Sequence, residues 1–123
     1  MNPKTRDAIS FIESNLSRRI HVAEIAECVG LRRSRLSFLF TSEIGMAPGQ
    51  FLKRVRMEKA CELLESSFLG IKEIAARVGY NDDTHFMRDF KKACGLTPSQ
   101  HRAEYLADQA GKARLGTKDR KIG

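Results

Sequence analysis

The chain has 123 residues, the size of one domain, and 41% of them are hydrophobic, enough for one modest core or two small packed ones. Twenty-two Lys and Arg against 15 Asp and Glu give a formal charge of +7, which favours a polyanionic partner. No apolar run approaches the roughly 18 residues of a membrane span, and the start Met1-Asn2-Pro3-Lys4-Thr5-Arg6-Asp7 lacks the apolar stretch of a secretory signal, so a cytoplasmic protein with no membrane partner is expected.

The charge is unevenly spread. Five basic and two acidic residues in 107–123 carry +3 of the +7, which leaves +4 on residues 1–106. The body is therefore only mildly basic, and its partner has to be read from motifs. Cys28, Cys61 and Cys94 are odd in number and widely spaced, with no C-x-x-C pair, and read as buried or half-buried free thiols with no metal site.

In chain order, Asn2-Pro3 reads as a cap followed by proline at the first helical position, and Ala8, Ile9, Ile12 and Leu16 continue a helix to about Leu16. Val22, Ile25, Ala26 and Val29 form a short helix stopped at Gly30. Leu36, Leu39, Phe40 and Glu43 to Ile44 stripe a third helix that ends at Gly45, and Pro48 opens a longer one through Phe51, Leu52, Val55, Ala60, Leu63 and Leu64 to about Ser66. The grammar then restarts. Ile71, Ile74, Ala75 and Val78 end at Gly79, Phe86 and Phe90 stripe the next helix to Gly95, and Pro98 opens a last one. No alternating strand pattern occurs, so the fold class is all-α with about seven helices. Residues 107–123 contain too few apolar side chains to bury and read as a basic, disordered tail.

The restart is an internal repeat. At an offset of 49, Val22–Gly30 and Ile71–Gly79 share Glu-Ile-Ala and Val-Gly; after one inserted residue Leu36 meets Phe86, Phe40 meets Phe90, Gly45 meets Gly95, Pro48 meets Pro98 and Gln50 meets Gln100. Each copy is a short helix, a glycine turn and a second helix, the helix-turn-helix design, with a small Ala26 or Ala75 where the helices cross. The reading divides the chain into a first unit at 1–47, a linker helix at 48–66, a second unit at 67–106 and the tail at 107–123. At about 1.5 Å per residue the linker spans roughly 28 Å, close to the roughly 34 Å between successive major-groove faces of B-DNA.

These residues resemble the AraC/XylS family of bacterial transcription regulators from about Asp7 to Tyr105. The resemblance rests on Ile74-Ala75-x-x-Val78-Gly79-Tyr80, on Phe86-x-x-x-Phe90-Lys91-Lys92-x-x-Gly95-x-Thr97-Pro98-x-x-x-Arg102, and on Arg56-Met57-x-x-Ala60-x-x-Leu63-Leu64. It implies two helix-turn-helix subdomains joined by a long helix, both recognition helices entering the major groove on one face of double-stranded DNA. It also implies contact with RNA polymerase, activation more often than repression, and a nucleoid-associated location. Most of the family carry a separate effector-binding domain, for which 123 residues leave no room; a short stand-alone type that binds as a monomer is expected.

Helical periodicity places Leu36, Leu39, Phe40 and Glu43 inward on the first recognition helix, leaving Ser34, Ser37, Phe38 and Thr41 as base-reading candidates. Two readings stand for Phe38: a thymine-methyl contact, or an additional core residue. On the second helix Phe86, Phe90 and Ala93 read as inward, and Asp83, Thr84, Met87 and Arg88 are the base-reading candidates. Arg88 suits a bidentate contact to guanine, with a salt bridge to Asp89 or Glu104 as the alternative. Asp82 reads as a helix cap; Asp83 reads as a second cap or as an acceptor from a cytosine amine. Gln50 and Gln100, in the first turns of helices opened by proline, suit phosphates, with Arg33, Arg35, Lys53, Lys91, Lys92 and Ser99 as further backbone contacts. Arg56 either reaches DNA or pairs with Glu58 or Glu62.

His21, His85 and His101 are scattered, and no metal-protease, P-loop or nucleophile-elbow motif is present, so neither catalysis nor a cofactor is expected. The competing class is an adaptor that binds polymerase without reading DNA itself.

Overall fold

Each of the three prolines opens a helix, because its fixed φ suits the first turn and its missing N–H would have no partner there. The computed structural model describes the backbone of residues 1–122 and the side chains of residues 1–112. Seven helices and no strand are found among the described residues: α1 (Pro3–Ser14), α2 (Val22–Cys28), α3 (Arg33–Ile44), α4 (Pro48–Ser66), α5 (Ile71–Arg77), α6 (Asp83–Cys94) and α7 (Pro98–Ile122). Asn2 caps α1 by accepting from the Lys4 N–H at 2.8 Å. The helix ends at Ser14, two residues short of the sequence estimate, where the Asn15 side chain turns back to donate to the Phe11 carbonyl at 2.8 Å.

The two helix-turn-helix turns are built alike. Gly30 and Gly79 hold φ of +71° and +86°, left-handed values that a side chain adopts only at a cost. The residue after each glycine then donates back over the helix end, Leu31 to Ala26 and Tyr80 to Ala75, both at 2.9 Å. The inserted residue falls between glycine and cap: Arg32 follows Gly30 by two positions, Asp82 follows Gly79 by three.

Each unit has its own core. Ala8, Ile12, Ile25, Ala26, Leu36 and Phe40 centre the first; Ala60, Leu64, Ile74, Ala75, Phe86 and Phe90 centre the second. Only α4 enters both, giving Leu52 to the first core and Met57, Ala60 and Leu64 to the second. Its far end is capped from α7, where Arg102 donates Nε to the Leu64 carbonyl at 3.1 Å and Nη2 to the Ser67 carbonyl at 3.3 Å.

Four expectations are corrected. Glu43 is exposed rather than inward: Leu36 and Phe40 make the buried stripe with Ile44 half-buried beside them, and the Glu43 carboxylate stays in water, accepting from the Asn2 N–H at 3.2 and 3.0 Å. Ala93 is exposed, because the stripe on α6 needs only Phe86 and Phe90. Cys28 and Cys94 are exposed at helix ends, and only Cys61 is half-buried. The chain also stays helical past Tyr105: α7 runs on to Ile122, and residues 107–112 are exposed helix. Nothing there is buried, but Ala107, Gln109, Ala110 and Lys112 favour helix, and extending an existing helix needs no new nucleus. The tail expected at 107–123 lies, for the side chains from 113 onward and for Gly123, outside the described residues.

Candidate nucleic-acid interface

On a helix, residues at i, i+4 and i+7 share a face. Ser34, Phe38 and Thr41 do so on α3, and Thr84, Arg88 and Lys91 do so on α6; all six are exposed. The two triplets are equivalent under the repeat, so both units turn the same face outward. Ser37 and Met87, also equivalent, lie half-buried at the edge of that face, and Met87 packs against the second core. Asp83 is half-buried in the first turn of α6, behind the cap in which Asp82 accepts from the Thr84 N–H at 2.8 Å.

Phe38 is 65% exposed, which excludes the core reading. The Arg35 guanidinium carbon lies 5.6 Å from its ring centroid, a cation–π arrangement. Sequence reasoning missed this pair, although the i, i+3 spacing was available to suggest it. Arg88 is exposed and makes no hydrogen bond or ion pair among those found between described residues. Its proposed partner Asp89 is engaged elsewhere, accepting from the Tyr80 hydroxyl at 2.9 Å with Lys53 Nζ and His85 Nε2 each at 3.5 Å from the same oxygen. Burial works against the Asp89 charge, but the Tyr80 hydrogen bond and the Lys53 and His85 charges prevail and hold its carboxyl below its ordinary value. Burial and the same hydrogen bond push the Tyr80 hydroxyl up.

Gln50 and Gln100 are exposed, and each accepts through Oε1 from the N–H of the residue capping its own helix: Ala47 at 3.3 Å and Thr97 at 3.0 Å. Thr97 completes the box by accepting from the Gln100 N–H at 3.2 Å; the Ala47 methyl has nothing to accept with. In both cases the carbonyl half of the amide is used, and the NH2 half, which donates, has no bond within the described residues. Arg33, Arg35, Lys53, Lys92 and Ser99 are exposed as well. Lys91 and Lys92 lie in the last turn of α6, where the helix dipole also favours positive charge.

Arg56 pairs with neither Glu58 nor Glu62. Arg54 takes Glu58 at 3.1 Å and Lys59 takes Glu62 at 3.2 Å, while Arg56 donates Nη2 to the Arg18 carbonyl at 2.9 Å. That partner lies 38 positions away in the first unit, beyond the reach of local spacing rules. Among the described residues no three His, Cys, Asp or Glu side chains cluster to hold a metal, and no helix is long and apolar enough to cross a membrane.

Two helix-turn-helix units on one continuous scaffold, each with an exposed polar helix face, define the class of the protein. The helix-turn-helix domain family matches residues 25–104. The chain is similar to the arabinose operon regulatory protein of Salmonella typhimurium, with 34% identity over 104 residues that make up 84% of this chain and 37% of that one. It is similar in structure to the C-terminal domain of AraT, a response regulator from Geobacillus stearothermophilus, with a TM-score of 0.81, 38% identity, and coverage of 84% of this chain and 86% of that one. The DNA-binding domain of AdpA, a global transcriptional factor solved in complex with a target DNA, gives a TM-score of 0.84 with 26% identity over 89% of this chain and 98% of that one. The chain belongs to the AraC/XylS family of transcription regulators, and its fold is that family's two-unit DNA-binding domain. It spans 26% to 38% of the length of the curated relatives it matches.

Proposed function

We propose that this chain binds double-stranded DNA sequence-specifically and activates transcription, inserting α3 and α6 into successive major-groove faces on one side of the duplex. The observation that carries the reading is the equivalence of the two exposed faces, Ser34, Phe38 and Thr41 on α3 with Thr84, Arg88 and Lys91 on α6, presented by units that share α4. The similar AdpA domain is in complex with a target DNA, which supports the same use here. Ser34, Ser37, Phe38, Thr41, Asp83, Thr84, Met87 and Arg88 face the bases. Gln50 and Gln100 clamp phosphates through their NH2 groups, with Arg33, Arg35, Lys53, Lys91, Lys92 and Ser99 around them. The functional division follows the two cores: residues 1–47 and 67–106 each read one half-site, and 48–66 spaces them. One chain occupies one site at the nucleoid, and RNA polymerase is its second partner, as the family resemblance implies.

Selection of bound duplexes from a random library tests the reading. One asymmetric motif of two blocks, centred about 10 base pairs apart, is the expected result. Salt-sensitive affinity that is equal across all sequences would replace it with a nonspecific binder or an adaptor. Transcription in vitro from the selected site, with purified polymerase, reads the sign: transcripts rise with added protein if it activates.

A further inference from the structure

The repeat makes Gly30 and Gly79 equivalent, yet their surroundings differ. A Cβ on Gly30 would meet only the Lys4 ammonium, 3.5 Å away. A Cβ on Gly79 would lie 2.6 Å from the Leu16 carbonyl oxygen, 2.9 Å from Arg56 Nη2 and 3.0 Å from the Arg18 carbonyl oxygen. The turn of the second unit is thus pressed against the backbone that leaves α1 in the first. Only a hydrogen atom fits between them.

Arg56 closes the same contact from the side. It stands on α4 between the last residue given to the first core, Leu52, and the residues given to the second. Its Nη2 donates to the Arg18 carbonyl, and its Nε is buried with no partner. A second tie runs from α4 to α6, where Lys53 reaches Asp89 at 3.5 Å, the carboxylate already bonded to Tyr80. Between the ties lies a cleft of about 320 Å³ lined by Arg19, Lys53, Arg56, Tyr80, His85 and Asp89. The two apolar cores share no residue. Outside the single helix α4, then, the angle between the units depends on polar and backbone contacts, not on a continuous apolar interface.

We propose that Gly79 and Arg56 are positioning residues that fix the orientation of α6 relative to α3 and so set the half-site spacing the protein accepts. Neither touches DNA in this role. The inference rests on the DNA-binding reading for its consequence but not for its geometry, and two measurements separate them.

The first needs no DNA. Backbone residual dipolar couplings of the free chain should fit one alignment tensor for both units in the wild type and in Gly30→Ala, which shares the positive-φ strain but not the close approach. They should need two tensors, or one with rotated units, in Gly79→Ala and in Arg56→Met. The second uses the selected duplex with one base pair inserted or deleted between its blocks. Wild type and Gly30→Ala should lose affinity by about tenfold or more, on the scale of a lost base contact, while Arg56→Met should lose only about two- to threefold relative to its own binding at the original spacing. Arg56→Met serves if Gly79→Ala fails to fold. A folded Arg56→Met chain with one unchanged tensor and an unchanged spacing profile overturns the proposal. A wild type that discriminates no duplex removes the DNA-binding reading, while the couplings still decide whether these two residues hold the units together.

Discussion

The Tyr80 hydroxyl donates to Asp89 Oδ2 at 2.9 Å, joining the turn of the second unit to the middle of its recognition helix. Asp89 is one residue from Arg88, yet about 100° round the helix from it: its side chain is 14% exposed and bonded within the fold, while Arg88 is exposed. Tyr80→Phe removes a hydrogen bond to a charged group and should cost about 1 to 2 kcal/mol of stability. Urea unfolding reads the loss, and an unchanged midpoint would show the bond to be dispensable.

The same carboxylate gives an acid dependence whose sign follows from its depressed pKa. A group with a folded pKa below its unfolded one contributes stability above the unfolded value and loses it as pH falls through the folded one. For Asp89 the stabilisation is therefore complete above its ordinary value of 3.8 and is lost progressively as pH falls from there through the lower folded value. The stability gap between wild type and Asp89→Asn should be present at pH 5 and narrow below pH 4. A gap that persists undiminished at pH 3 contradicts this account.

Arg88→Ala should reduce binding by about 1 to 3 kcal/mol for the preferred base at one position and leave other positions unaffected. Gln100→Ala should weaken every duplex alike, since a phosphate carries no sequence. Titration against a panel of singly mutated sites decides between them; a uniform loss for Arg88→Ala takes it off the list of base readers.

Phe38 and Phe86 differ in exposure, 65% against 0%, and so in what they support. Phe86→Ala should destabilise by about 3 to 5 kcal/mol through lost burial and the cavity left behind. Phe38→Ala should stay within about 0.5 kcal/mol of wild type in stability while changing affinity for the first half-site. Paired melts and titrations check both, and a large stability loss at Phe38 would return it to the core.

Thiol labelling should order the cysteines. Burial, with Cys94 and then Glu65 and Glu58 nearby, pushes the Cys61 thiol up to about 12, so little thiolate forms near neutral pH. Iodoacetamide at pH 8 should modify exposed Cys28 and Cys94 well before Cys61, as followed by mass spectrometry of peptides. Equal rates at all three would contradict the burial seen here.

Much of this molecule is local, and local features can be read from residues alone. Proline at 3, 48 and 98 marks helix starts because φ and the missing N–H are properties of one residue. The buried stripes Leu36 with Phe40 and Phe86 with Phe90 follow from four-residue spacing, and the outward triplets follow from the stripes. Periodicity was less reliable at the margins, at Glu43, Ala93 and Met87, because a wheel position assigns a direction but not the width of the surface covering it. Composition misjudged the start of the last helix's exposed extension for a related reason: lack of burial argues against a core, not against a helix already under way.

The helical grammar was thus determined by the sequence itself, since it depends on spacings of one to seven residues, and the repeat was legible because the same grammar recurs about 50 positions on. The relation between the two units was not. Arg56 meets Arg18 and Gly79 meets Leu16 across 38 and 63 positions, and Lys53 meets Asp89 across 36. Such partners are chosen by how two packed cores dock along α4, and no spacing rule within a helix carries that information. Glu58 and Glu62 stand two and six positions from Arg56, off the i+4 and i+3 spacings that pair them with Arg54 and Lys59, and only the folded arrangement turns Arg56 to the Arg18 carbonyl of the first unit.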